Sequence, residues 1–521
     1  MMRVGIANPY AYRPHAAHMA FLATKLEALG HRTFFLGCGG ALDNCNSKLK
    51  KTGIARSLEC FKCQAGGIQS YLKVSVERLD LPIPLNADIL KLSRDFSYSS
   101  VATALQVEHV SQTEELDFQL LQDKLQKGTA TAFLNAKRWI RENQLQCIFV
   151  FNGRLDLTRA VVEACIAESV RFVSVERSWF GDGLQLLPGE NCNGLRNFQN
   201  MCLKWAKLPL TYEQAANASE LITRRVNRTS VGEWKQYNVN SEASYDRKAI
   251  KFLFLPSSQH EWMGNPDRTC EWHHPVDGIE YLFNRLGLSM SDLVVRAHPG
   301  WAMKIKNYGA NRAADFYRTW TAKVGAQYLE PDSNIDTHEL MKISDIILVN
   351  GSSASMEAAW LGKPLFSFVP AAFTSSGISK NLFTPADVDS LSDADIELLT
   401  GVSGIPFDAR EQCRLALRYI YCANFRLMQF VESVTSTNPF TFNVIEAGDL
   451  SGLESLVVHG KLQESDTKFG ADDAEELAVV ESILSGNTQT LQSYLSRRMR
   501  PAGSPIARRM AYRFIDKFKP S

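Results

Sequence analysis

Residues Asp345–Pro364 read DIILVNGSSASMEAAWLGKP. Ile346 to Val349 has the length and branching of a buried parallel strand, and it stops at a polar turn, Asn350-Gly351-Ser352-Ser353, that opens a helix. Backbone N–H groups at a helix start carry partial positive charge, small residues let an anion approach them, and two adjacent hydroxyls add donors. Asn350, Ser352 and Ser353 are therefore candidate phosphate contacts, although a serine-rich helix start also serves as a plain N-cap. Glu357 follows one helical turn later, where its carboxylate would reach a ribose hydroxyl. Gly362-Lys363-Pro364 then ends the helix and launches the next strand.

The same pattern recurs around this stretch. Phe252 to Leu255 reads as a strand ending in Pro256-Ser257-Ser258, with Glu261 just beyond, and Leu293 to Arg296 as another ending in Ala297-His298-Pro299. Tyr328 to Glu330 and Leu365 to Phe368 complete the series, with helical patterns between, so a Rossmann-like sheet is the simplest topology. Neighbouring strand ends thus supply Ser257 and Ser258, His298 and Pro299, and Ser352 and Ser353. A histidine among hydroxyl turns can bind a phosphate or protonate a departing one, because its pKa lies near working pH. Arg296 lies on the opposite face from Ala297 and reads as a structural cation.

An earlier α/β series opens the chain. Val4 to Ala7 reads as a strand, Met19, Leu22, Leu26 and Leu29 lie at helical spacing before Gly30, and Thr33 to Leu36 is a second strand. The opening lacks the GxGxxG fingerprint, so no dinucleotide is implied. Cys147 to Phe151 is a strand followed by Asn152-Gly153-Arg154; after a helical pattern from Leu157 to Ala167, Phe172 to Val175 ends in Glu176-Arg177-Ser178-Trp179. Open α/β sheets bind ligands at these carboxyl ends, which makes Asn152, Arg154, Glu176 and Arg177 crevice candidates. An Arg-Glu pair also serves as a buried ion pair. Asp182-Gly183 and Asn191 to Gly194 belong to a following loop of little regular pattern, with Asp182 a candidate acceptor contact. Residues 64 to 140 read as mainly helical, as in Asp117 to Leu134, an insertion over the crevice.

At 521 residues the chain exceeds a single core. The expected division is an N-terminal Rossmann-like domain over 1–225, a second over 250–450, and a helical tail over 451–521, with a polar connection from about Asn217 to Arg247. A formal net charge of +1 argues against a protein built to coat nucleic acid, and 45% hydrophobic content fits a globular chain without a membrane span. The start, MMRVGIANPY, lacks the apolar core of a secretory signal, so the expected location is the cytoplasm. Cys38, Cys45, Cys60 and Cys63 could hold zinc, but only the last two have close spacing; reduced thiols and no metal are the expectation. Residues 464 to 481 are acidic and helical in pattern. The last 25 residues carry Arg497, Arg498, Arg500, Arg508, Arg509, Arg513, Lys517 and Lys519, interleaved with Met510, Phe514 and Phe518. That basic amphipathic end would suit an anionic membrane face, or the protein's own acidic surface.

With these residues laid out, the chain resembles the bacterial capsule and surface-polysaccharide glycosyltransferases, including the capsule Kdo transferases. The resemblance rests on VFNGR at Val150–Arg154, VERSWF at Val175–Phe180, LPSSQHEW at Leu255–Trp262, RAHP at Arg296–Pro299 and NGSSASMEAAWLGKP at Asn350–Pro364. It implies a GT-B architecture, two Rossmann-like domains facing across a cleft, and a metal-independent transferase with a nucleotide sugar as co-substrate and no cofactor. It implies a glycan or lipid-linked acceptor, CMP-Kdo as the favoured donor, and phosphate contacts from His298, Ser352 and Ser353. The acidic-acidic-glycine motif that supplies the base in one related group is missing, so Glu176 is the first candidate for acid/base work, with Glu261 and Asp182 behind it. Two other classes fit the same frame: a nucleotide-sugar epimerase or hydrolase, and a non-catalytic assembly factor.

Overall fold

The computed structural model describes residues 1–491 except 13, 50–52, 54, 55, 57, 72, 73, 109–111, 231–244, 246–248, 305–311, 402–406, 439, 440 and 445–448. The basic end from Arg497 to Lys519 and most of the expected connection before Arg247 lie outside the described residues.

Two six-stranded sheets organise the chain. The first contains β1 (Arg3–Ala7), β2 (Arg32–Gly37), β3 (Val76–Arg78), β4 (Cys147–Phe151), β5 (Arg171–Arg177) and β6 (Leu184–Pro188) in the order β3-β2-β1-β4-β5-β6. Its first five strands run parallel, with Val4 opposite both Thr33 and Cys147. β1 and β4 read as unbroken apolar runs because helices cover both faces. Gly5 is required in β1: a Cβ there would lie 2.5 Å from the Trp139 ring on the helix Gln112–Glu142. β6 runs antiparallel to β5 and was expected to be loop. Gly181 and Gly183, with φ of +95° and +77°, reverse the chain and lay Leu184, Leu186 and Leu187 back into the core.

The second sheet contains β7 (Ile250–Leu255), β8 (Leu293–Arg296), β9 (Gln327–Leu329), β10 (Ser344–Val349), β11 (Leu365–Ser367) and β12 (Lys380–Asn381) in the order β12-β11-β10-β7-β8-β9, all parallel. Both sheets wind outward in two directions from their first strand. Each has a switch point, between β1 and β4 and between β7 and β10, where a crevice opens beyond the carboxyl ends. The architecture is an α/β fold of two Rossmann-like units with a GT-B-like arrangement.

The halves are stitched by more than a linker. Asn217 lies inside the helix Tyr212–Val226 and is buried, so the chain there is core and not polar connection. That helix packs against the helices Ala409–Tyr421 and Ala474–Leu484, and one apolar cluster runs from Phe180, Phe198 and Trp205 through Leu253 and Ile347 to Leu417 and Val480. The chain then returns to the first half. β13 (Val434–Asn438) and β14 (Thr441–Val444) form a hairpin whose Val434 carbonyl accepts from Gly183 N–H at 2.8 Å, and the helix Ser451–His459 packs Leu453, Leu456 and Val457 against Val4, Ile6 and Phe149. Among the described residues, no helix is long and apolar enough to cross a membrane.

Within the acidic 464–481 stretch, Glu476 is not a surface charge. It is wholly buried, accepts from the Leu210 N–H at 2.9 Å and Arg418 Nε at 3.1 Å, and Arg418 Nη1 also donates to the Ala206 carbonyl at 2.9 Å. Removing one partner of a buried ion pair leaves an uncompensated charge. Glu476→Ala is therefore expected to cost about 3–5 kcal/mol of stability in denaturant unfolding, with Glu476→Gln costing less; an alanine loss below about 1 kcal/mol would show that the pair holds nothing.

Candidate active site

The carboxyl ends of β10, β7 and β8 lie side by side and bring together most of the second-half candidates. Asn350, fully buried, accepts the Ser257 N–H on its side-chain oxygen at 2.5 Å and the Ser257 hydroxyl on its carbonyl at 2.9 Å. Its amide nitrogen donates to the Tyr317 hydroxyl at 3.0 Å. Ser258 accepts from Trp301 Nε1 at 2.8 Å, and Trp301 stacks on Tyr317 with centroids 5.3 Å apart. Ser257, Ser258 and Asn350 are thus the frame of the switch point.

His298 is half-buried after β8, and Pro299 begins the short helical turn that follows. The His298 Nδ1 accepts from Gly300 N–H at 3.1 Å, which in the neutral ring places the proton on Nε2, a donor. Ser352 is buried and its hydroxyl accepts from Ala354 N–H at 3.3 Å; Ser353 is exposed and makes no side-chain cap. The helix they open, Ala354–Trp360, spans only seven residues. Glu357, expected near a ribose, lies 3.5 Å from Arg225 of the helix Tyr212–Val226, whose guanidinium sits 5.2 Å from the Phe180 ring. Arg296 is structural as expected: it is buried, its Nη2 donates to the Ser333 carbonyl at 3.1 Å, and burial holds it down to about 10.

On the first sheet, Asn152 and Gly153 take left-handed φ of +62° and +74°, so β4 ends in a tight turn that aims Asn152 across to β5. Asn152 Nδ2 donates to Glu176 at 2.9 Å and to Cys192 at 3.1 Å. Glu176 also accepts from the Arg177 N–H at 3.1 Å and lies 3.3 Å from His15 Nε2 on the helix His15–Ala28. Burial pushes the Glu176 carboxyl above the ordinary carboxylate range, against the pull of Asn152, Arg177 and Arg154. Burial and the Arg177 charge push His15 down to about 3, so the imidazole is neutral at working pH. A proton shared by the pair therefore rests on the carboxyl, not on the ring. His15 escaped the sequence reading; the signal was the HAAH spacing of His15 and His18, which puts two imidazoles on one helix face directly after β1. Arg177 is buried at this end, whereas Arg154 Nη1 donates to Ser99 at 2.7 Å and Thr103 at 3.0 Å on the helix Tyr98–Leu105.

Two candidates are placed differently. Asp182 accepts the Ser436 N–H at 2.9 Å and so anchors the hairpin just beyond the carboxyl end of β5. The Glu261 side chain is about half exposed (51%), while its carbonyl accepts from Asn193 Nδ2 at 2.7 Å. That contact belongs to a clasp between the halves: Asn265 Nδ2 donates to the Asn193 carbonyl at 2.5 Å and the Leu195 N–H to Asp267 at 2.9 Å.

Two further residues were not foreseen. Glu108, from the helical insertion, is buried against the second sheet, where it accepts from Gln259 N–H at 3.2 Å and Tyr317 at 3.2 Å and lies 3.6 Å from His260. Arg268 sits over Gly351: a Cβ on that glycine, whose φ is +94°, would lie 2.9 Å from both terminal guanidinium nitrogens.

The expected cysteine group gathers around a small cavity of about 30 Å³ lined by Cys38, Cys45, Cys60 and Cys63. Burial pushes Cys38, Cys45 and Cys63 up to about 12, which keeps them as thiols, and no group of three metal-ligating side chains is placed to hold an ion among the described residues. Beside it, a cavity of about 220 Å³ opens at the carboxyl ends of β1 and β2, with Asn8, Cys63 and Tyr71 in its wall.

No family model matches the chain, and no curated protein matches it. Solved structures similar to it include the S. aureus MnaA–UDP co-structure, at 15% identity over 91% of this chain and 100% of that one, TM-score 0.27. Thermosulfurimonas dismutans KpsC, a beta Kdo 2,7 transferase, is 11% identical over 51% of this chain and 79% of that one, TM-score 0.31. UDP-GlcNAc 2-epimerase from Neisseria meningitidis bound to UDP-GlcNAc is 11% identical over 80% of this chain and 96% of that one, TM-score 0.27. At these identities and TM-scores none of them bears on what this chain binds.

Proposed function

We propose that the chain is a glycosyltransferase that moves a sugar from a nucleotide-sugar donor onto a capsular or other surface glycan, with a CMP-Kdo-type donor favoured by the sequence resemblance. The observation that carries the reading is Glu176: a carboxyl held by Asn152, raised by burial and set beside a neutral His15 at a strand end of the first sheet. A carboxylate with a raised pKa is a stronger base than an exposed one.

In the proposed reaction the donor occupies the strand ends of β7, β8 and β10 and the acceptor the first sheet. The acceptor hydroxyl oxygen forms the new bond to the anomeric carbon as the bond from that carbon to the phosphate oxygen breaks. The phosphate leaves with the electron pair, and the hydroxyl proton passes to Glu176. His298 Nε2–H and the Ser352 turn donate hydrogen bonds to the oxygen on which charge develops, the electrostatic contribution expected of a preorganised site. No cofactor enters the scheme. The basic end of the chain would bring the enzyme to an anionic membrane face where lipid-linked acceptors reside.

Two measurements test this. Nucleotide release from CMP- and UDP-sugars is followed with and without an oligosaccharide acceptor; acceptor-dependent release is expected. Acceptor-independent release with an isomerised or free sugar as product supports the epimerase or hydrolase reading, and no consumption of any nucleotide sugar supports the assembly factor. Glu176→Gln is expected to lower kcat/KM by about 10²–10⁴-fold with donor binding retained. Because the base works only when deprotonated, wild-type kcat/KM should rise with pH through a pKa above the ~4.3 of a free glutamate. A pH profile whose acid limb is unchanged in Glu176→Gln would remove Glu176 from the role.

A further inference from the structure

All three guanidinium nitrogens of Arg268 are sealed from solvent, and none meets a hydrogen-bond acceptor. One face of the group lies on the Trp262 ring, 3.3 Å from its centroid, and its edge abuts Gly351. Glu261 is the acid within electrostatic reach, yet it makes no hydrogen bond to the guanidinium. Burial pulls Arg268 well below the usual arginine range. A planar cation with five unsatisfied donors is among the costliest groups a protein can bury, and an anion that fits its fork removes the cost at once.

The surroundings are shaped for such an anion. Gly351 is the residue that tolerates both its φ of +94° and the guanidinium 2.9 Å from where a side chain would begin. The next residue, Ser352, and the Ser257–Asn350 frame lie at the same strand end. The loop that carries Arg268 is also the one clasped by the first half, through Asn193 to Glu261 and Asn265 and through Leu195 to Asp267.

We propose that Arg268 is an anion seat at the second-sheet switch point, sealed in the closed arrangement and opened when the 193–195 and 261–267 loops part, which takes a phosphate of the phosphorylated substrate through the guanidinium fork. The proposal deepens the transferase reading and rests on it for the identity of that phosphate as the donor's. Phosphate chemistry alone does not say whether the group arrives on a nucleotide or as a free anion, so both are used as probes.

The full-length protein is titrated with pyrophosphate, CMP, UDP and their sugar conjugates by calorimetry, and its melting temperature is followed without ligand, for wild type, Arg268→Gln, Arg268→Lys and Gly351→Ala. Loss of the unpaired buried charge is expected to raise the ligand-free melting temperature of Arg268→Gln by about 1–3 °C, an effect opposite to that of deleting a structural arginine. Its affinity for the phosphorylated probes is expected to fall about 10–100-fold, with Arg268→Lys intermediate and Gly351→Ala weakened by displacement of the guanidinium. A nucleotide bound at least ten times more tightly than pyrophosphate identifies a nucleotide seat; equal affinities identify a free-anion seat and remove the donor assignment. If Arg268→Gln binds every probe as wild type does, or wild type binds none, the seat is overturned. Turnover of a nucleotide sugar with normal binding in Arg268→Gln overturns the seat and leaves the transferase standing; Arg268-dependent binding without turnover of any nucleotide sugar does the reverse.

Discussion

Asn350 has no contact with solvent, and every polar atom of its side chain is used. Its carboxamide oxygen holds the end of β7, its nitrogen holds Tyr317 on the helix Arg312–Val324, and its carbonyl takes the Ser257 hydroxyl and, at 3.1 Å, Gln259. Tyr317 in turn donates to Glu108, which comes from the first half of the chain. One buried amide thus fixes how far the first and fourth strands of the second sheet splay at their ends, and through Tyr317 it ties that opening to the helical insertion. Polar groups in a low-dielectric interior tolerate few alternative arrangements, because any shift strands a donor or acceptor. The crevice geometry at the switch point follows from that intolerance.

The two sheets distribute charge in a complementary way. At the first, burial favours neutral forms: His15 is held to about 3 and Glu176 is raised, so the pair carries at most one negative charge. At the second, Arg268 is a cation with no acceptor and His298 presents a donor. The proposed pairing of a donor phosphate with an acceptor hydroxyl matches this polarity, since the anion would meet donors on one side and the hydroxyl proton a carboxylate on the other. Reversing the substrate would put like charges together.

Much of the architecture was legible because parallel strands buried on both faces announce themselves as short apolar runs. Cys147–Phe151 and Leu293–Arg296 have the bounds expected from the sequence, and β1, β2, β5, β7, β9, β10 and β11 lie within a few residues of theirs. What escaped was structure specified by distant partners. β6 depends on two positive-φ glycines that turn the chain back onto β5, and the hairpin β13–β14 is fixed by Gly183 and Asp182, some 250 residues earlier. The site residues divide the same way. Ser257, Ser258, His298, Asn350 and Ser352 follow their strands and could be found from them. Arg268 lies in a loop without periodicity, and its importance arises only from packing on Gly351 and Trp262. Glu357 and Asp182 were legible as carboxylates at element ends, but their partners Arg225 and Ser436 come from distant segments that the sequence does not pair with them.

The contact between the 189–195 and 261–268 loops connects these observations. Asn152 holds Glu176 with one hydrogen bond and Cys192 with another, and the Cys192 N–H donates back to the Asn152 carbonyl at 2.8 Å. The next residue, Asn193, grips the loop that ends in Arg268. From the carboxyl of the first sheet to the guanidinium of the second, the path therefore runs through four short segments, each fixed by at least one hydrogen bond. The clasp itself is made by hydrogen bonds between loops, beside the apolar cores that lie beneath both sheets. In the proposed opening, parting the clasp exposes Arg268 and frees the loop beside Glu176 in one movement. The proposed transfer calls for such a link, because both sheet ends have to be filled before water enters between them.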